Sequence, residues 1–183
     1  MMNPNMASPH RVIGVDPGTR ATGWGVIDCD ARGRASGVAA GVIRLGAEGL
    51  ADRLASLQAQ LVTIVERYAP RTAVVEEIFI AKHARAALQL GHARGVVLAT
   101  LACHAIAIQT LSPALVKRAV AGHGQADKRQ VAAHVGALLR LAKLPAIDAT
   151  DALALALAGS RNLSALAPFS GTHTASAVWR RPA

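Results

Sequence analysis

The sequence predicts an α/β fold in which a mixed five-stranded sheet is flanked by helices. Three observations carry this. Short apolar segments split by turn residues open the chain, apolar segments then alternate with helix-periodic ones, and capping residues stand ahead of several of those helical stretches. Strands gathered first in a meander and later separated by helices give a sheet with both antiparallel and parallel neighbours.

The elements follow in order. RVIGVD reads as a buried strand, PGT supplies a turn, and ATGWGVID resumes the apolar alternation, so the two segments form a hairpin. RASGVAAGVIRL extends the meander despite its glycines. In GLADRLASLQAQLVTIVERYA the residues Leu54, Leu57, Leu61, Ile64 and Val65 recur at helical spacing. RTAVVEEIFI follows Pro70 and is β-rich, which predicts a strand near 72 to 77, and an Ala-rich helix is expected from about 84 to 104. AIAIQTL is a short strand; SPALVKRAVAG is a helix opened by Ser112 and Pro113; DKRQVAAHVGALLRLA is capped by Asp127. DATDALALALAGSRN makes the last helix.

A chain of 183 residues with 52% hydrophobic content suits one domain, expected over residues 11–164 between a tail at 1–10 and a basic tail at 165–183. Lysine and arginine number 20 against 11 acids, a net charge of +9 that favours a polyanionic partner such as nucleic acid. MMNPNMASPH lacks the pattern of a secretory signal, and the apolar stretch GVVLATLACHAIAIQ is short and broken by His104, so no membrane is expected. Cys29 and Cys103 lie far apart without zinc-ligand spacing, and a reducing cytoplasm is the simplest location.

Four acids stand where such a sheet and its helices converge: Asp16 at a strand end, Glu76 or Glu77 at another, and Asp148 with Asp151. The last two are spaced i, i+3, which puts both on one helix face. Each has an ordinary explanation alone, as a helix cap, a first-turn acid or a solvated strand residue. Together, in a basic protein, they suit Mg²⁺ or Mn²⁺, hard cations that take carboxylate and phosphate oxygens and support phosphodiester hydrolysis. Adjacent strand residues face opposite sides, so only one of Glu76 and Glu77 joins the cluster, and periodicity does not say which.

Taken in order, GVDPGTRATGWGV, VVEEIFIAKHARAALQLGHARG and DATDALALA resemble the RuvC family of bacterial Holliday junction resolvases, from about residue 11 to 160. The resemblance implies an RNase H-like fold, a homodimer, and Mg²⁺-dependent paired nicking of four-way junction DNA with two ions per site, Mn²⁺ being an alternative. It aligns Asp16 with the family's first-strand acid, Glu76 with its second, and Asp148 and Asp151 with its closing pair, as catalytic metal ligands. Glu76 is selected because the family's acid lies three residues before the aromatic that here is Phe79.

By the same resemblance Phe79 stacks on a base near the crossover, with Lys82 beside it, and Lys117 and Lys128 contact phosphate or the attacking water. Arg118 and Arg129 are DNA-binding candidates by charge. Glu77, His83, Arg85 and His92 depart from the family's pattern. The branch-migration proteins RuvA and RuvB are partners implied by the family, and GVVLATLA offers small and branched residues for a two-fold helix contact. The competing readings are a non-catalytic junction-binding module, which four intact acids disfavour, and a sugar-kinase-like ATPase, for which the chain is too short.

Overall fold

The structure is a computed structural model that describes residues 9–77 and 84–162. The expected terminal tails lie outside these residues except at Pro9 and His10, where the first strand already begins, and Phe79, Lys82 and His83 lie outside them too. The elements are β1 (His10–Asp16), β2 (Ala21–Cys29), β3 (Ala35–Arg44), α1 (Leu50–Tyr68), β4 (Thr72–Glu76), α2 (Ala84–Cys103), β5 (Ala107–Leu111), α3 (Pro113–Ala121), α4 (Lys128–Leu139) and α5 (Ile147–Asn162).

The sheet order is β3-β2-β1-β4-β5. The meander β1 to β3 is antiparallel, and β4 and β5 add in parallel after helical crossovers. β1 is therefore central, and its run Val12 to Val15 is buried, as a strand covered on both faces requires.

Alternation divides the apolar residues between two cores. Val12, Ile27 and Val74 meet α3, α4 and α5 on one face, while Ile13, Val15, Val26, Ala73 and Val75 meet α1 and α2 on the other. Helices on both faces and one mixed sheet form the expected α/β architecture.

α3 opens at Ser112, whose hydroxyl accepts from the Leu115 N–H, with Pro113 in its first turn. α4 opens with a full capping box, Asp127 and Gln130 each receiving the other's backbone N–H. α5 is buried continuously from Ala152 to Ala158. It lies directly on the sheet's backbone: a Cβ on Gly14 would sit 1.9 Å from the Ala152 carbonyl oxygen, and one on Gly23 1.9 Å from that of Asp148.

By length and composition the segment Ala86–Cys103 of α2 could cross a membrane. Its Ala93, Val97 and Leu101 instead pack into the core beside α1, while Leu88, Gly91, Gly95 and Ala99 face outward.

Candidate active site

Strand parity decides which acids meet. On β1 the α5-facing positions are Val12, Gly14 and hence Asp16; on β4 they are Val74 and hence Glu76. The parallel register aligns Gly14 with Val74 and Val15 with Val75, so one step further Asp16 and Glu76 stand side by side at the C-terminal ends of adjacent strands. Glu77 turns away and is exposed, its N–H donating to the Leu111 carbonyl at 2.9 Å.

Above the strand ends is a cleft of about 150 Å³ lined by Asp16, Glu76, Lys117, Lys128 and Asp151, with an apolar wall that includes Val116 and Leu155. α5 contributes Asp151 one turn below Asp148, whose backbone rests on Gly23. α4 contributes Lys128 from its first turn, and the ammonium lies 3.3 Å from the Asp151 carboxylate. A larger cleft, of about 630 Å³, opens by the β2–β3 turn and the ends of α4 and α5. Its two acids, Asp28 and Asp30, are each 2.7 Å from an arginine, Arg11 and Arg34, so it lacks the unneutralised charge that marks the smaller cleft.

Asp16 is pushed up to about 7, chiefly by burial and then by repulsion from Glu76, Asp151 and Asp148, with Lys128 opposing the shift. Glu76 is also raised, by burial first and then by Asp151, again opposed by Lys128. Lys128 is raised in turn, mainly by Asp151. Cluster and lysine thus form one electrostatic unit with an excess of negative charge.

That excess tests whether the residues fit a divalent cation. The donors are all carboxylate oxygens from β1, β4 and α5, the set that suits Mg²⁺ or Mn²⁺. The repulsion at Asp16 is what a cation would relieve. Among the described residues no three of the acids are already drawn into a closed cage around one point. The fit is one of donor type and charge.

Of the residues singled out in the sequence, Asp16, Glu76, Asp151, Lys117 and Lys128 line the cleft, and Asp148 acts on Asp16 from the helix above. Arg118 and Arg129 are exposed on α3 and α4 and do not line it. Arg94 is the residue that sequence reasoning passed over. From α2, its Nε–H donates to the Glu76 backbone carbonyl at 3.1 Å. The only signal in the sequence was an arginine in the middle of an apolar helix.

A five-stranded mixed sheet in this order, with acids at its central strand ends and on the helix laid across them, defines an RNase H-like nuclease. The family model described as crossover junction endodeoxyribonuclease RuvC matches residues 12–159, and the chain belongs to that family. A crossover junction endodeoxyribonuclease RuvC of Magnetococcus marinus is 45% identical over 82% of this chain and 84% of that relative. The Thermus thermophilus RuvC structure shares 30% identity at a TM-score of 0.78, covering 85% of this chain and 96% of that one. The structure of T. thermophilus RuvC in complex with Holliday junction substrate shares 31% identity at a TM-score of 0.77, covering 81% and 92%.

Proposed function

We propose that this chain resolves Holliday junctions by Mg²⁺-dependent hydrolysis of one phosphodiester in each of two opposed strands. The observation that carries this reading is the convergence of Asp16, Glu76 and Asp151 in a single cleft that two lysines also line. With Asp148, these acids would hold the two ions. When bound, such ions supply an activated water and stabilise the departing oxygen.

The chain's own groups do the rest. Asp16, central to the mutual repulsion, would be the acid whose charge a bound cation relieves most. Lys128 and Lys117 offer cationic donors to a phosphate entering the cleft, the strongest part of any nucleic-acid contact. Val116 and Leu155 limit water on the inner side. Arg118 and Arg129, exposed on neighbouring helices, extend the basic surface for the DNA backbone, and Phe79 and Lys82 would act at the crossover.

Two cuts call for two sites, which a closed homodimer supplies. The outward face of α2 supports that assembly: it carries Leu88, 63% exposed, with Gly91, His92, Gly95, Ala99 and Ala102, and among the described side chains from 86 to 103 it presents no lysine or acid. RuvA and RuvB are its partners on the junction, and the cytoplasm is the compartment where that DNA is met.

The test is a four-way junction incubated with the protein in Mg²⁺ and in EDTA. Paired, religatable nicks that need the metal are expected. A junction bound in both and cut in neither would make this a binding module.

A further inference from the structure

A parallel strand turns the backbone groups of alternate residues to each of its neighbours. On β4 the Glu77 N–H goes to Leu111 of β5, so the Glu76 N–H and carbonyl turn to β1. Following the register Val15↔Val75 one step further, the donor due at the Glu76 carbonyl is the residue after Asp16. That residue is Pro17, which has no N–H. The ladder therefore stops one bond short at the candidate ligand, and the missing donor comes from a helix: Arg94 Nε, 3.1 Å from the Glu76 oxygen.

We propose that Arg94 is a positioning residue, which satisfies the carbonyl that Pro17 leaves without a ladder donor and so fixes the end of β4 and the direction in which Glu76 faces Asp16. Without that bond, a partly buried carbonyl would turn to find water, and the peptide rotation would carry the Glu76 side chain with it. The inference rests on the reading of Glu76 as a metal ligand and concerns what holds it in place. It also makes α2, whose outer face is the proposed dimer contact, the helix that holds a ligand of the site.

Charge and position predict opposite results. Removing this cation leaves binding of a divalent ion unchanged or strengthens it if Arg94 acts only through its charge, and weakens it if Arg94 acts by position. The probe is Mn²⁺, with free ion measured by electron paramagnetic resonance on the full chain without DNA, so that no turnover is involved. Arg94→Met should bind Mn²⁺ at least about tenfold more weakly than wild type, in line with the loss of partners that orient ligands. Arg94→Lys, which keeps a donor and the charge, should stay within about threefold. Circular dichroism and junction binding in EDTA verify the fold, and Arg94→Gln takes the place of the methionine variant if that one does not fold.

Unchanged or tighter Mn²⁺ binding by the methionine or glutamine variant, or an equal loss in Arg94→Lys, overturns the positioning role. Glu76→Gln is measured alongside. If it binds as wild type does, or wild type binds no Mn²⁺, the metal reading fails and the inference with it; if Glu76→Gln is weakened and Arg94→Met is not, the inference alone fails.

Discussion

Asp16→Asn keeps the shape of the side chain and removes its ionisation, and the consequence for stability can be worked from the site. The Asp16 carboxyl is raised from 3.8 to about 7, by burial and then by Glu76, Asp151 and Asp148. Between those values the folded chain holds a proton that the unfolded chain has released, so this carboxyl lowers stability as pH rises through the window and leaves it lowered above about 7. The full span corresponds to about 4 kcal/mol. Water reaching the partly exposed cleft reduces this, and about 2 kcal/mol is a reasonable expectation. In EDTA at pH 8 the asparagine variant should therefore be the more stable protein, and its advantage should shrink by at least about 1 kcal/mol at pH 5. Urea unfolding at the two pH values measures the difference; in thermal melts it amounts to roughly 2 to 4 °C per kcal/mol for a domain of this size. Adding Mg²⁺ should stabilise wild type more than the variant and narrow the gap at pH 8, while junction cutting by the variant is lost. An advantage that is absent at pH 8, or equal at both pH values, would refute the electrostatic account of the cluster.

Glu76→Gln should abolish cutting in Mg²⁺, whereas Glu77→Gln should keep most of it, because Glu77 is exposed on the other face; a gel of junction products with the reverse pattern would reject the parity argument. Lys128→Met removes the cation that restrains Asp16, so in metal-free protein the ¹³C titration of the Asp16 carboxyl should move above its starting value of about 7, and a downward move would contradict the assigned ion pairing. A Cβ on Gly95 meets nothing within 4 Å, so Gly95→Leu should fold at least as well as wild type, helix propensity favouring it by roughly 1 kcal/mol. Sedimentation should nevertheless show it dissociating at concentrations where wild type is dimeric, and an unchanged dimer would place the contact elsewhere.

Much of this architecture was legible because it is written locally. Ser112–Pro113 and Asp127 mark the starts of α3 and α4 where the caps are found, and the spacing of Leu57, Leu61 and Val65 gives the buried stripe of α1. Asp16 stood out because an acid closing an apolar strand needs a reason. The choice between Glu76 and Glu77 was closed to periodicity, since both faces of the sheet are covered and the parity of β4 is set only by its register against β1, more than fifty residues earlier in the chain. Arg94 was hidden for a related reason. Its role depends on a proline in one strand end, a carbonyl in another and a helix beyond both, and only their assembly shows that a donor is missing.

The bare contact between α5 and the sheet has a mechanical consequence. Side chains between packed elements can change rotamer and give a little, but at Gly14 and Gly23 backbone faces backbone and there is nothing to compress. The helix that carries Asp148 and Asp151 is seated on a hard stop, its height above β1 and β2 set by the absence of two methyl groups. Whatever change in span the acids undergo as charge enters or leaves the cleft must then come from the compliant side: rotation of the Asp16 and Glu76 side chains, the end of β4, and the long arm of Lys128. Half of the site is a fixed jaw, and two glycines of the sheet determine where it stands.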